Sequence, residues 1–170
     1  MAATIIATVG GSTSNSYVTL AEAEVIALTI LAAKSTSWDA AATDDIKNRA
    51  LIQATRDIDS LNLSGTPYYT GLQGTSTYQA LHFPTDENVN NSAPFIPTDV
   101  QDAQVFQACY LLRNSAAATA TADKIATGIT ETDTGHYMEK LNGSKASRVS
   151  SDASEILGSF VSSEINIFRG

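Results

Sequence analysis

Apolar residues recur at helical spacing in the first third of the chain. They are Leu20, Ala23, Ala27, Ile30 and Leu31, three or four residues apart, and Val25, Ile26 and Leu28 widen the stripe to nearly the full circumference. Thr19 and Glu22 precede them in the spacing of a capping box, in which each side chain accepts a backbone N–H at a helix start. The pattern predicts a helix over 20–33 that is buried on nearly all sides.

Two further stretches show the same spacing with polar outer faces. Thr43-Asp44-Asp45 supplies a cap and an acidic first turn for a second helix, which ends before Gly65 and Pro67. Its predicted inner face is Ile46, Ala50, Leu51, Ala54, Ile58 and Leu61. A third helix begins at Pro97-Thr98-Asp99. Its predicted inner positions are Val100, Ala103, Gln104, Ala108, Leu111 and Leu112, and the Ala/Thr run 115–123 is interpreted as a helix tail that grades into a linker.

The segment between these two helices contains all four prolines of the chain, which excludes a continuous helix over 64–98. Residues 77–83 have the composition of a short extended piece. We expect this piece to place Tyr78, Leu81 and Phe83 against the helices. A loop of this length inside a small domain usually has a function.

The ends of the chain favour extended structure. β-Branched residues over 125–130 and a turn ending at Gly135 predict a hairpin at about 125–141. Asp152 and Glu155 are candidate caps for a short last helix. The sequence thus predicts a mainly α fold: a small bundle of three to four helices with a β-hairpin and extended terminal arms. The predicted parts are a β-prone arm and Gly/Ser linker over 1–16, a helical domain over 17–163 and a C-terminal tail over 164–170.

Composition and charge narrow the function. The 170 residues contain ten Lys and Arg against eighteen Asp and Glu, a net charge of −8, which disfavours a surface-wide grip on nucleic acid. The single cysteine, Cys109, excludes an internal disulfide and a multi-cysteine metal site. We expect no secretory signal and no membrane-spanning segment.

Candidate chemistry is sparse. Histidine is the usual choice for acid-base chemistry, which makes His82 and His136 the obvious candidates, but neither lies in a catalytic motif. The pairs Asp44-Asp45 and Asp57 with Asp59 are better explained by a helix dipole and a solvated face than by a metal site. We therefore expect no enzyme activity, no catalytic residues, no cofactor and no metal. A small hydrolase is the least favoured hypothesis.

The C-terminal third leaves two questions open. Lys140, Lys145 and Arg148 flank a Gly/Ser turn near Tyr137, which fits either a solvated loop or a modest DNA-facing patch. The tail 164–170 alternates apolar residues, so it either packs on its own domain as a strand or adds to a partner. The arm over residues 4–9 allows the same two interpretations.

Several segments, taken in order, resemble one family of tailed-phage proteins. The run Val9-Gly-Gly-Ser-Thr-Ser-Asn-Ser-Tyr-Val-Thr-Leu-Ala-Glu-Ala23 resembles its N-terminal signature, and Trp38 with residues 50–61 resembles its second helix. Residues 69–71 and 79–84 are similar to its middle loop, and 96–103 to the start of its third helix. Members are called head-tail connector, adaptor or head completion proteins, and some are labelled DnaT-like single-stranded DNA-binding proteins. Many have Trp-Pro-Arg where this chain has Phe83-Pro84-Thr85, so one cation is missing here.

This resemblance, over about residues 5–115, implies a structural virion protein at the head-tail interface, present in the host cytoplasm during assembly. Such connectors form a homo-oligomeric ring, usually of twelve copies, beneath the portal protein. They extend the channel through which double-stranded DNA passes without sequence-specific binding, and they dock a downstream neck or tail protein. Ile165, Ile167, Phe168 and Arg169 are the predicted portal contacts, and Ile129, Tyr137 and Met138 the predicted ring or tail contacts. The alternative is a DnaT-like accessory protein that binds single-stranded DNA in replication.

Overall fold

Five α-helices, one short 3-10 helix and two small hairpins make up the described part of the chain. The computed structural model describes residues 2–41, 43–68, 78–90, 93–126, 131–133, 138–140 and 149–161, with the backbone alone for 115–126 and the last two strands. The helices are α1 (Leu20–Thr29), α2 (Ala32–Asp39), α3 (Asp44–Asp59), α4 (Thr98–Ala126) and α5 (Ser151–Ile156), followed by the 3-10 helix Leu157–Ser159. The strands are β1 (Val89–Asn90), β2 (Ala93–Pro94), β3 (Glu131–Asp133) and β4 (Met138–Lys140). The predicted mainly helical class is confirmed.

The first predicted helix is divided into α1 and α2. Its backbone becomes extended at Ile30 and Leu31 before α2 begins at Ala32. β-Branched Thr29 and Ile30 are poor helix formers, so little helical preference opposes this turn. The turn brings Ile30 and Trp38 into the core, where both are buried. A continuous helix over 20–33 was therefore a wrong prediction, and four predicted helices become five.

Helices α1 to α4 enclose the first of two apolar clusters. Thr43 caps α3 by accepting the Ile46 N–H, and α3 packs along α4. The buried members of this cluster are Val18, Ala23, Ala27, Ile30, Trp38, Ala50, Leu51, Ala54, Val105, Ala108 and Cys109. Ile58 is also buried as predicted, but Ile46 is 40% exposed, so its place on the inner face was wrongly predicted.

The second cluster combines helical residues with residues of irregular segments. Its buried members are Tyr17, Ile58, Phe83, Val100, Ala103, Val149, Ala153 and Leu157. Phe83 packs edge-to-face against Tyr17, His82 and Phe160, with ring centroids 5.9, 5.1 and 5.4 Å away. The prediction that the middle loop packs on the helices therefore holds for Phe83 and Leu81. It fails for Tyr78, which is 64% exposed.

Two buried glutamines of α4 tie neighbouring segments together. Gln104 accepts the Tyr17 N–H at 3.0 Å and donates to Ser16 Oγ at 2.7 Å. Gln107 donates to Asp57 Oδ2 at 2.9 Å and accepts the Ser150 N–H at 2.8 Å. Because a buried polar group without a partner is costly, these pairs fix how the loops before α1 and α5 meet α4.

The N-terminal arm lies on its own domain. Asn48 Nδ2 donates to the Ala3 carbonyl at 2.9 Å, and Asn15 Oδ1 accepts the Ile6 N–H at 2.8 Å. Ile5 packs against the first cluster. Residues 2–9 belong to no strand, so the arm is an irregular segment held by side chains of its own subunit.

The predicted hairpin is present but narrower than 125–141. Strands β3 and β4 pair antiparallel, with Asp133 opposite Met138. Helix α4 continues to Ala126, so the backbone of the Ala/Thr run 115–123 is helical and does not grade into a linker. The five alanines of that run favour this continuation.

Candidate assembly surface

Helix α1 carries apolar side chains on both faces. Thr19 accepts the Glu22 N–H and Glu22 accepts the Thr19 N–H, the predicted capping box. Ala23 and Ala27 face the first cluster. On the outside of α1, Val25 and Leu28 are 65% and 84% exposed, and Leu31, in the turn between α1 and α2, is 69% exposed. We call these three residues the ridge.

A groove lies between α3 and α4, with a volume of about 410 Å³. It is lined by Ile46, Arg49, Ala50, Gln53, residues 110–112 and Asn114. Most of the lining is aliphatic or aromatic, and Arg49 stands at its edge with a side chain that is 67% exposed. The volume falls in the range of pockets that hold a ligand or the side chains of a partner. We call this feature the groove.

Carboxylates neutralise most of the cations whose side chains the structure describes. Lys34 pairs with Asp152 at 2.8 Å, Lys47 with Glu24 at 2.6 Å, and Arg49 with Asp45 at 2.9 Å. These three are among only five Lys and Arg before residue 124. A site for single-stranded DNA needs a groove lined by free cations, and this region lacks one among its described residues.

Glu24 joins three helices. Its carboxylate accepts Lys47 Nζ at 2.6 Å and Trp38 Nε1 at 3.1 Å. Partial burial raises the pKa of Glu24, but the hydrogen bonds from Lys47 and Trp38 outweigh it and leave the pKa below its usual value. The carboxylate is therefore ionised at neutral pH and holds α2 and α3 against α1.

The described aromatic residues differ in exposure. Tyr17, Trp38 and Phe83 are buried in the two clusters and cannot stack on bases. Tyr78 and Phe95, by contrast, are 64% and 44% exposed. Within the described part of the chain, two exposed rings are a small stacking platform by the standards of strand-binding proteins.

Tyr17, Asp59 and His82 form a cluster of titratable groups. The Tyr17 hydroxyl donates to Asp59 Oδ1, and His82 Nε2 lies 3.0 Å from the Ser64 carbonyl oxygen. Burial raises the pKa of Asp59, although the hydrogen bond from Tyr17 opposes this shift. Burial also raises the pKa of Tyr17 well above its ordinary value of 10.0. Because each group is engaged with structural neighbours, this cluster supports packing of the middle loop, as predicted for His82.

Other candidate chemistry finds structural explanations. Cys109 is buried in the first cluster, as predicted, and burial raises the pKa of its thiol to about 11. A search of the described residues finds no group of three or more His, Cys, Asp or Glu placed to hold a metal ion. Within the same residues, no helix has both the length and the apolar character needed to cross a membrane.

The predicted contact residues lie mostly outside the described part of the chain. This applies to Ile165, Ile167, Phe168 and Arg169, and to Ile129 and Tyr137. Met138 is described by its backbone alone, in β4 opposite Asp133. His136, Lys145 and Arg148 are also outside the described residues, so the proposed roles of these positions remain predictions.

The exposure of the ridge was not predicted from the sequence. An apolar stripe around the whole circumference was interpreted as burial on nearly every side, because a helix that is apolar all round is usually buried. The structure instead places the ridge on the surface. The sequence did hold one indication: the residues of α1 that face the core, Ala23 and Ala27, are small, which allows α1 to pack on the core with one face only.

The described fold is that of a mainly helical protein with an exposed apolar ridge and few free cations. The family model described as "Putative DnaT-like ssDNA binding protein" matches residues 1–170, and the chain belongs to that family. No curated protein matches it. No solved structure matches it either.

Proposed function

We propose that this protein is a structural subunit of a tailed-phage particle, a head-to-tail connector. Twelve copies form a ring under the portal protein, extend the channel for double-stranded DNA and dock the next neck or tail protein. The observation that carries the proposal is the ridge, three exposed apolar side chains on a molecule of net charge −8. Exposed apolar patches are typical of surfaces that another protein covers.

The charge distribution supports a channel through which DNA slides. Carboxylates repel the phosphate backbone, so a ring of acidic subunits avoids sites where DNA would stick. The pairing of Lys34, Lys47 and Arg49 with carboxylates reduces the free positive charge of the described surface. This arrangement favours passage of DNA over retention.

The assignment to the connector class also draws on the resemblance of successive segments between residues 5 and 115. The roles of the rest of the chain are carried over from that resemblance. The hairpin β3–β4 follows the long helix α4 in the chain, and its Met138 is a proposed ring or tail contact. The tail residues Ile165, Ile167, Phe168 and Arg169 are proposed to dock on the portal.

The test combines the protein with the portal protein of its own phage. A pull-down and negative-stain images compare the full chain with a chain lacking residues 164–170. We expect a ring stacked coaxially on the portal for the full chain and loss of that ring on truncation. A matched variant with Ile165, Ile167 and Phe168 changed to Ser separates the loss of apolar contacts from the loss of chain length. No association of the full chain with the portal contradicts the proposal.

Binding of single-stranded DNA is the second candidate function. The description of the family favours it. Exposed Tyr78 and Phe95 are candidate stacking residues, and Lys140, Lys145 and Arg148 are candidate phosphate contacts. The net charge and the paired cations oppose this function, because strand binding relies on free positive charge.

Filter binding at low salt distinguishes the two functions. The connector proposal expects no retention of labelled single-stranded DNA by the wild-type protein. The second candidate expects retention that falls steeply as salt rises, because binding releases counterions. It also expects loss of retention in the variant Tyr78→Ala, with Tyr68→Ala as a control at a less exposed tyrosine.

A further inference from the structure

We propose that the ridge of one copy inserts into the groove of the next copy. This inference rests on the proposed ring and identifies the surfaces that join its subunits. The ridge is a convex apolar feature on α1, and the groove is a concave apolar feature between α3 and α4. A second copy of this chain supplies both shapes at equal concentration.

Charge complementarity supports this occupant. Helix α1 contains Glu22 and Glu24 and no Lys or Arg, and Glu22 lies beside Val25 at the surface. Two cations lie at or next to the groove: Arg49 of α3 lines it and pairs with Asp45, and the Arg113 guanidinium lies 5.8 Å from the ring centre of Tyr110, a residue of the groove. A ridge with an acidic edge therefore meets a groove with a cationic edge.

The acidic residues near the groove limit where the partner sits. Asp44 and Asp45 form the first turn of α3, and Asp45 already pairs with Arg49. Favourable charge contacts are thus confined to the side of the groove that faces Arg49 and Arg113. Glu22 is the α1 carboxylate assigned to this side: its side chain is exposed and bonds to Thr19 within the capping box, whereas Glu24 is held by Lys47 and Trp38.

Ridge into groove uses different surfaces on the two copies. Two ridges facing each other would bring two Glu22 carboxylates together, and two grooves would leave both concave surfaces unfilled. A head-to-tail contact between different surfaces forms a ring when the rotation between copies closes, and we assign this form to the contact because the proposed ring requires it. This geometry is the one that a connector ring requires.

Crosslinking between two single-cysteine variants tests the contact. Leu28→Cys lies on the ridge, and Gln53→Cys lies at the exposed edge of the groove. The two variants carry tags of different size and are mixed in equal amounts with the portal, then treated with a short bis-maleimide reagent. The native Cys109 is buried, so the wild-type protein is the unreactive control. Val9→Cys, exposed and outside both surfaces, replaces Leu28→Cys as the matched control.

We expect a crosslinked product that joins Leu28→Cys to Gln53→Cys, and at least about tenfold less product with Val9→Cys. A product that joins two Leu28→Cys chains overturns the proposal, because ridge then meets ridge. Rings on the portal without the mixed product overturn it too, while the proposed function stands. If no ring forms on the portal, the proposed function fails. The same crosslinking reaction without portal then tests the contact by itself: the mixed product supports the ridge-into-groove contact, and its absence overturns that contact.

Discussion

Helices α1 and α3 both pack on α4, but they present different outer faces. On α3, the outward positions Arg49, Gln53 and Arg56 are polar and exposed. On α1, the outward positions Val25 and Leu28 are apolar and exposed. The inner faces are alike, since alanines from both helices fill the first cluster. The exposed polar side chains of α3 are stable in water without a partner, whereas the exposed apolar side chains of α1 favour contact with another protein.

The difference separates residues that hold the fold from residues that hold an assembly. Inward residues of either helix contribute to the free energy of unfolding. Outward residues of α1 contribute little to the fold, and we assign them to contacts between subunits. Substitutions on the two faces therefore have effects that separate measurements can resolve.

The largest expected loss of stability comes from the inner face of α3. Leu51→Ala removes a fully buried side chain of the first cluster. Lost apolar contacts and the cavity left behind lower the free energy of unfolding by about 2–5 kcal/mol. Urea denaturation measures this, with Arg56→Ala on the exposed face as the control. A loss below about 1 kcal/mol would show that the cluster relaxes around the cavity.

A substitution on the outer face of α1 is expected to leave stability nearly unchanged and to prevent assembly. Leu28→Lys keeps a good helix former and places a cation in the last turn, where the helix dipole favours it. We expect the free energy of unfolding to change by less than about 0.5 kcal/mol. Ring formation on the portal is expected to be lost, because a lysine then faces the cationic edge of the groove. Val9→Lys is the matched control and should keep the ring; equal loss with both variants would point to charge alone.

The caps of the two helices provide a smaller contrast. Thr19→Ala breaks the reciprocal capping box of α1, and we expect it to cost about 1 kcal/mol. Thr43 makes a single, longer contact of 3.4 Å with the Ile46 N–H of α3. We expect Thr43→Ala to cost about 0.5 kcal/mol. Thermal unfolding of both variants in one buffer compares them, and a larger loss for Thr43→Ala would reverse this ranking.

The smallest expected effect concerns pH and the end of α3. Burial raises the pKa of Asp59 above its ordinary 3.8. The folded state therefore holds this proton more tightly, and stability from Asp59 is lost as pH rises through the folded pKa. Asp59→Asn lacks this loss, so its stability relative to wild type should improve as pH rises above 3.8 and then level off. Denaturation at a series of pH values checks this, and a gap that stays constant with pH argues against a raised pKa.

The helices were predicted from the sequence, because their apolar positions recur at a regular spacing. Thr19, Thr43 and Pro97 mark the starts of α1, α3 and α4, and the predicted inward positions Leu51 and Val100 are buried. Periodicity identifies such residues because a helix buries the same face every three to four positions. The hairpin followed from a β-branched segment with a Gly-containing turn, although its strands are shorter than predicted.

The remainder depended on tertiary contacts. Nothing in the local pattern indicates that the backbone turns at Ile30, because the gain comes from burying Trp38 eight residues later. The second cluster depends on Phe83 and Val149, which lie outside helices and follow no period. The ridge was missed because periodicity reports which residues are apolar and not which of them a single chain has room to bury.

The most direct test of the central claim is the rate at which a maleimide labels Leu28→Cys. The native thiol is buried and its pKa is raised to about 11, so labelling reports the ridge alone. We expect fast labelling of the free protein, at least about tenfold slower labelling when the portal is added, and no change with single-stranded DNA. Labelling that is unaffected by the portal but slowed by single-stranded DNA would contradict the connector account and favour strand binding.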